Sequence, residues 1–158
     1  KLCTLTNIIP NYLDARFTGI VQANSELEKK EILSRLQHEN IIRHRINPLD
    51  MGLHKWIIDI DGNVNSWGLL WKLISGSCIL RVNTQRQQWY HHLLKPWHNF
   101  IPVENNLVDL EEKLIWCNNH QGFCEFVATN GQRLGIQVSE SLYKSQISAI
   151  DNYIKEWI

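Results

Sequence analysis

The sequence predicts an α/β fold with a mainly parallel sheet and helices on both of its faces. Two short runs, residues 56–60 and 78–82, are apolar and largely β-branched, as is typical of strands buried on both faces of a parallel sheet. Longer segments with helical spacing separate these runs, and this alternation implies right-handed βαβ units. Because 158 residues suit one domain, we predict a single Rossmann-like domain over residues 1–158, with residues 139–158 as a C-terminal packing helix.

Charge and cysteine content exclude several classes of function. The 16 Lys and Arg balance the 16 Asp and Glu, for a formal net charge of +0, which gives no electrostatic reason to expect a nucleic-acid partner. No apolar run approaches the roughly 20 residues of a membrane span. Four cysteines occur without a Cys-x-x-Cys pair, so we expect buried free thiols, no disulfide and no metal site. Free thiols favour a reducing compartment.

The N-terminal third contains one clear helix signal. Residues 2–5 are interpreted as a short first strand, and residues 8–22 as irregular. Ser25 and Glu28 form a capping box that starts a helix ending near His38. The inward face of this helix is predicted to hold Leu27, Ile32, Leu33 and Leu36.

The central stretch reads as strand, turn, helix, turn and strand. Asp61 and Gly62 mark the first turn. Asn65 or Ser66 is expected to cap the following helix. That helix is predicted to pack through Trp67, Leu70, Trp71 and Ile74. Gly76 and Ser77 form the turn into the second strand.

The remaining elements alternate in the same way. Thr84 begins a predicted helix with a Thr-x-x-Gln box, and Pro96 ends it; its packing residues are Trp89, Tyr90, Leu93 and Leu94. Residues 100–103 form a short strand, where Pro102 favours a sheet edge. Asn106 is predicted to cap a helix to about His120, with Leu107, Leu110, Leu114 and Cys117 on one face. Two further helices are expected, over residues 122–131 and 139–157, the second with a stripe of Ile147, Ile150, Ile154 and Trp157.

The turn after the first strand is the candidate ligand site. A helix N-terminus presents free N–H donors and a partial positive charge, which suit phosphate, and ligands of open α/β sheets bind at the carboxyl ends of strands. The alternative is a purely structural turn. Asp59 and Asp61 share one side of the strand end and are candidates for acid–base work or for solvating the turn. His91 and His92 are adjacent and lack ligand-spaced partners, which argues against a metal site.

Three segments carry a resemblance to a known family: KWIIDIDG with Ser66-Trp67, then GSCIL at residues 76–80, and LKPWHNFIPV at residues 94–103. In this order and spacing the chain resembles the Rumi-type protein O-glucosyltransferases, together with fungal capsule-associated and bacterial lipopolysaccharide-modifying glycosyltransferases. The segment LDARFT at residues 13–18 adds to the resemblance, which extends from about residue 2 to 116.

The resemblance implies a GT-B arrangement of two Rossmann-like domains, of which this chain would be the C-terminal, nucleotide-sugar-binding half. It implies inverting transfer of glucose or xylose from a UDP-sugar, without a metal or cofactor, to a glycan, lipopolysaccharide or protein acceptor. The catalytic base would lie in the N-terminal half, so no residue of this chain is assigned that role.

The resemblance also assigns donor-binding residues. The diphosphate loop would comprise Gly62, Asn63, Val64, Asn65, Ser66 and Trp67. Gly68 stands where many relatives carry a diphosphate-binding arginine, and Lys72, one turn further along the helix, could reach back toward the phosphate. Gln85 and Gln88 stand where relatives often carry glutamate.

Two alternatives to an active enzyme follow from these departures: a degenerate nucleotide-binding domain and an interaction domain without catalysis. The free thiols favour a cytoplasmic location, at the membrane face if the rest of the protein binds a membrane, whereas a eukaryotic relative would work in the secretory pathway.

Overall fold

Three parallel strands form the sheet at the centre of the described structure. The computed structural model describes the backbone of residues 1–157 and the side chains of residues 1–150, 152 and 155. The sheet order is β1 (Trp56–Asp59), β2 (Cys78–Val82) and β3 (Ile101–Val103), with Ile57 opposite Ile79 and Leu80 opposite Ile101. The strands predicted over residues 56–60, 78–82 and 100–103 are confirmed, and β3 with its proline is an edge strand.

Helices cover both faces of this sheet, which confirms the α/β class. The helices are α1 (Leu2–Leu5), α2 (Glu26–His38), α3 (Pro48–Met51), α4 (Leu69–Ile74), α5 (Leu110–Asn119) and α6 (Gln121–Trp157), with a 3-10 turn at His91–Leu93. One apolar cluster joins β2 and β3 to α5 and the start of α6. The other joins β1, α4 and Tyr90 to the middle of α6.

The N-terminal segment differs from the predicted strand. Residues 2–5 form a helical turn closed by a bond from the backbone N–H of Leu5 to Lys1, so they do not join the sheet. The next helix begins after Ser25 as predicted, and the Ser25 hydroxyl accepts from the N–H of Glu28 at 3.1 Å. The predicted inward face of this helix is only partly confirmed, because Leu36 is buried whereas Leu27 is 69% exposed.

The helix after β1 begins later than predicted. Its N-cap is Gly68, which makes no side-chain cap bond, so neither Asn65 nor Ser66 caps it. The predicted face is also wrong at Trp67, which is 82% exposed, because the buried positions are Leu69 and Leu73; the other predicted members, Leu70, Trp71 and Ile74, are half-buried. Residues 62–67 are therefore a loop that precedes the helix.

The predicted helix beginning at Thr84 is absent, because residues 84–90 form a loop that leads only into the 3-10 turn. The Thr84 hydroxyl accepts from the N–H of Arg86 at 3.1 Å, which closes a local turn. Tyr90 is buried as predicted, whereas Trp89 is 55% exposed. The loop brings polar side chains, rather than a helical face, against the end of β1.

The C-terminal helices also differ in their bounds. Asn106 accepts from the N–H of Val108 instead of capping a helix, and α5 starts at Leu110; its predicted apolar face is nevertheless buried. The two helices expected over residues 122–131 and 139–157 are one continuous α6. Ile147 and Ile150 are exposed, so these two do not pack as predicted, and the side chains of Ile154 and Trp157 lie outside the described residues.

The cysteines are as expected. Cys78, Cys117 and Cys124 are buried, Cys3 is half-buried, and all four are free thiols. Within the described residues, no helix is at once long enough and apolar enough to cross a bilayer.

Candidate functional site

The candidate site lies at the carboxyl ends of β1 and β2, where two loops meet. Asp61, just after β1, accepts from the N–H of Ser66 at 2.7 Å with one oxygen and from the hydroxyl of Thr84 at 2.5 Å with the other. Gln88 donates its amide to the carbonyl of Ser66 at 3.0 Å. These three bonds hold the loop of residues 62–67 against the loop of residues 84–90.

A buried carboxylate lies directly beneath these loops. Asp59 is 2% exposed, and one of its oxygens accepts from both the Ser66 hydroxyl at 2.5 Å and the Lys72 ammonium at 2.7 Å. The neighbouring strand places Arg81 opposite Asp59, with Nε 3.9 Å from the second carboxylate oxygen. The Lys72 and Arg81 side chains are 13% and 11% exposed. We call Asp59, Ser66, Lys72 and Arg81 the Asp59 cluster.

The Asp59 cluster contains one more positive than negative charge. Asp59 contributes one negative charge, and Lys72 and Arg81 contribute two positive charges. Buried charges are costly unless they are paired, and Asp59 alone cannot pair fully with both cations. Asp61 lies above the cluster, where it accepts hydrogen bonds from Ser66 and Thr84, and its negative charge balances the second cation.

Two further polar side chains, Tyr90 and His91, border the Asp59 cluster and are neutral. Arg81 lies 3.1 Å from Nδ1 of His91, and because a guanidinium only donates, Nδ1 accepts and the ring proton is on Nε2. Burial, together with the charge of Arg81, keeps the pKa of His91 below its ordinary value. Burial and the negative charge of Asp59 raise the pKa of Tyr90 to about 12.

Three polar atoms in this region are buried without a hydrogen-bond partner: Nε of Arg81, the hydroxyl of Tyr90 and Nε2 of His91. All three are able to donate, given the tautomer of His91. Buried polar groups are usually paired, so a cluster of unused donors beside two cations is unusual. This arrangement suits an acceptor-rich anion.

The structure brings only part of the predicted diphosphate loop onto the Asp59 cluster. Ser66 and Lys72 meet on one oxygen of Asp59. Asn63 instead bonds Gln22 at 2.7 Å. The other predicted loop residues lie outside the cluster: Gly62, Val64 and Trp67 are exposed, and Asn65 is half-buried.

Lys72 does not reach back over the loop as the sequence suggested, because it is engaged with Asp59. The buried position of Arg81 is not among the positions that the sequence analysis singles out. A signal was present, since Asp59 and Arg81 each fall within a run predicted to be buried, and charged residues in such runs are rarely buried without a partner. The roles of Thr84 and Gln88 depend on a loop conformation that periodicity does not reveal.

The position of the missing arginine is sterically restricted. A Cβ added at Gly68 would lie 2.8 Å from Nε1 of Trp71 and 3.3 Å from Cε of Lys72. A larger side chain at this position therefore requires the Trp71 indole to move.

Other cavities in the described residues lie away from the two loops, including one of about 950 Å³ that is lined in part by Arg43, His44 and Arg45. No three His, Cys, Asp or Glu side chains there converge as metal ligands. A cavity of about 250 Å³ opens at the amino ends of β1 and β2, lined in part by Trp56, Cys78 and Gln132, at the edge opposite the two loops. In open parallel sheets ligands bind at the carboxyl ends, so the Asp59 cluster is the stronger candidate.

Comparison with known proteins identifies similar sequences in viruses and animals. The chain is 31% identical over 136 residues to uncharacterized protein 035R of Invertebrate iridescent virus 3, which covers 82% of this chain and 12% of that protein. It is 33% identical over 124 residues to uncharacterized protein 179R of Invertebrate iridescent virus 6, covering 70% of this chain and 10% of that protein. It is 24% identical over 135 residues to protein O-glucosyltransferase 3 of Homo sapiens, covering 84% of this chain and 24% of that protein.

The chain thus spans at most a quarter of the length of these relatives. The sequence model described as "Glycosyl transferase family 90" matches residues 4–149, which is more than half of the chain, and the chain therefore belongs to glycosyl transferase family 90.

Proposed function

We propose that this chain is the donor-binding half of an inverting, metal-independent glycosyltransferase. The enzyme would move a hexose or pentose from a UDP-sugar to a hydroxyl group of a glycan, a lipopolysaccharide or a protein. The observation that carries the proposal is the group of donors under two loops at the carboxyl end of the sheet: the cations Lys72 and Arg81 and the buried, unpartnered donor atoms of Arg81, Tyr90 and His91. Family membership and a human relative named protein O-glucosyltransferase 3 support the reaction class.

The chemistry of the leaving group explains why such a cluster is useful. Transfer of the sugar leaves UDP with additional negative charge, and fixed donors that face this charge stabilise the transition state without reorganising. In this proposal the hydroxyl of Ser66 and the ammonium of Lys72 face this charge, the guanidinium of Arg81 adds attraction from nearby, and backbone N–H groups of residues 63–65 are further donors. Because these cations belong to the protein, the proposal requires no metal and no cofactor.

The acceptor side is assigned to the rest of the protein. In this proposal the catalytic base and the acceptor site lie in a second Rossmann-like domain of a GT-B enzyme, which faces the loops across a cleft. The isolated chain would therefore bind donor but transfer nothing. A cytoplasmic location at a membrane face and the absence of a nucleic-acid partner remain predictions from the sequence.

Hydrogen exchange with and without UDP tests the donor site. We expect saturating UDP to slow exchange in the two loops, residues 62–67 and 84–90, while the peptide over α5 (Leu110–Asn119) is unchanged and acts as an internal control. UDP-glucose and UDP-xylose should protect the same peptides, and adenosine diphosphate should protect them less. Unchanged exchange in both loops at saturating UDP, in a chain whose longer form transfers sugar, would contradict the proposed site.

A second candidate function is a nucleotide-binding or interaction domain that has lost catalysis. The feature in its favour is Gly68, which stands where, by the family resemblance, many relatives carry an arginine. The Gly68→Arg variant should be made together with Trp71→Ala, because a Cβ at this glycine lies 2.8 Å from the Trp71 indole nitrogen; Trp71→Ala alone is the control. A large gain in UDP affinity on adding the arginine would indicate a degenerate native site.

A further inference from the structure

We propose that Asp59 is an exchangeable counter-ion of the donor site. In the ligand-free chain Asp59 binds the Lys72 ammonium and the Ser66 hydroxyl. When a diphosphate binds, Lys72 and Ser66 donate to the phosphate oxygens instead, and Arg81 becomes the partner of Asp59. The inference rests on the proposed function, because it describes how that same site would receive the diphosphate. The contact between Asp59 and Lys72 is then autoinhibitory, and ligand binding exchanges Lys72 for Arg81 as the partner of Asp59.

The first support is the uneven use of the Asp59 carboxylate. One oxygen accepts from Ser66 at 2.5 Å and from Lys72 at 2.7 Å. The other has Arg81 Nε at 3.9 Å, beyond hydrogen-bond distance, and Nε has no other partner. A movement of about 1 Å would bring this pair to an ordinary N–H···O distance. An unused acceptor thus faces an unused donor at the place where a replacement contact is needed.

The second support is the charge count. Asp59 is shared by two cations, so Lys72 and Arg81 cannot both be fully paired in the ligand-free chain. A diphosphate supplies a second anionic partner. After the exchange Lys72 is paired with a phosphate oxygen and Arg81 with Asp59, so each buried cation has an anionic partner of its own, which lowers the cost of burying it.

The third support is the surroundings of the Asp59 cluster. The hydroxyl of Tyr90 and Nε2 of His91 are buried donors without partners, and the charges of Asp59 and Arg81 act on both residues. Neither side chain competes for Arg81 as a negative charge would. The second carboxylate oxygen of Asp59 is therefore the acceptor best placed to receive the guanidinium Nε.

A purely structural ion pair makes the opposite prediction for one substitution. Asp59→Asn keeps the shape of the side chain and removes its charge. If Asp59 restrains Lys72, this variant frees the ammonium and should bind UDP and inorganic pyrophosphate roughly tenfold more tightly, within the usual range of coupling between sites. If Asp59 only supports the loops, the same variant should bind these anions more weakly or equally.

Titration calorimetry with UDP and with inorganic pyrophosphate tests the sign of this effect. Lys72→Met should weaken binding, and the double variant Asp59→Asn with Lys72→Met should lose the gain seen in Asp59→Asn alone. Asp14→Asn is the matched control, because Asp14 is paired with Arg16 and Arg43 outside the Asp59 cluster and its loss changes the net charge equally. We expect Asp14→Asn to leave the affinity for both anions unchanged within about twofold, since distant exposed charges are screened.

Folding of Asp59→Asn is checked by circular dichroism. If the variant is partly unfolded, pyrophosphate should refold it, because a ligand that binds only the folded state stabilises that state. Failure to refold at saturating pyrophosphate would overturn the inference.

The outcomes separate the two proposals. Wild-type binding that is tightened by Asp59→Asn and weakened by Lys72→Met supports both. Wild-type binding that Asp59→Asn does not tighten overturns the counter-ion role and leaves the donor site in place. Binding by Asp59→Asn without binding by the wild type supports the restraint and overturns the proposed function of the natural chain. Binding by neither overturns both.

Discussion

The close contact between α6 and α4 can be tested with a glycine-to-alanine substitution. Such a substitution usually stabilises a helix, but here it should destabilise the protein. Gly135 lies inside α6, and a Cβ there would meet Cγ1 of Ile74 at 2.9 Å, its backbone N at 3.1 Å and Cβ of Leu73 at 3.1 Å. Two of these atoms are backbone N and Cβ, which cannot rotate away. Gly135→Ala therefore requires the two helices to move apart.

The expected magnitude combines two opposing effects. Ala is favoured over Gly inside a helix by about 1 kcal/mol, whereas overpacking a core costs about 1–3 kcal/mol. The free energy of unfolding of Gly135→Ala should thus fall by about 0–2 kcal/mol. Gly122 also lies in α6, but a Cβ there has nothing within 4 Å, so Gly122→Ala should gain up to about 1 kcal/mol.

Urea unfolding and thermal scans of the two variants measure this difference. The Gly122→Ala control should be the more stable by about 1–3 kcal/mol, which corresponds to about 2–4 °C in Tm for each kcal/mol in a chain of this size. If Gly135→Ala is as stable as Gly122→Ala, the close approach of α6 to α4 is not present in the protein and the packing argument is refuted.

Three further predictions concern single side chains. Thr84→Val removes the bond to Asp61 and should lower the free energy of unfolding by about 1 kcal/mol, and should speed hydrogen exchange in both loops; Thr84→Ser should retain the wild-type values. The pKa of His91 is lowered in the folded chain, so the unfolded chain binds the proton more tightly. The stability that neutral His91 contributes above about pH 6.5 is therefore lost as the pH falls below that value. Unfolding curves at pH 7.5 and 5.5 should differ less for His91→Phe than for the wild type. Burial raises the pKa of Cys117 to about 12, so at pH 8 it should react with a disulfide reagent only after unfolding, whereas half-buried Cys3 should react in the folded chain.

The fold was predictable where burial alone decides structure. Residues 78–82 are apolar except for Arg81, and they form β2 as predicted. Helix bounds were wrong where tertiary contacts decide them. One helix is predicted to end at Gly131, but α6 runs through Gly131 and Gly135, where each glycine accommodates a close neighbour, Asn99 and Ile74 respectively.

The candidate site was predictable in position but not in its contacts. The carboxyl end of the first strand was expected to hold the ligand, and the loops do meet there. The pairing of Asp59 with Lys72 was not expected, because the side chain of a lysine one turn into a helix has several possible partners. Only the parallel register, which puts Asp59 opposite Arg81, shows that two cations share one carboxylate.

The glycine at position 68 and the buried pairing of Lys72 depend on each other. A Cβ at Gly68 would lie 3.3 Å from Cε of Lys72 and 2.8 Å from the indole nitrogen of Trp71, so a larger side chain there would displace the stem that carries the ammonium to Asp59. The space beside Gly68 is therefore occupied by the Lys72 stem, which carries its ammonium to Asp59. In the donor site proposed above, Lys72 and Arg81 would supply positive charge from the sheet edge, and Asp59 would set how much of the Lys72 charge is available to a ligand.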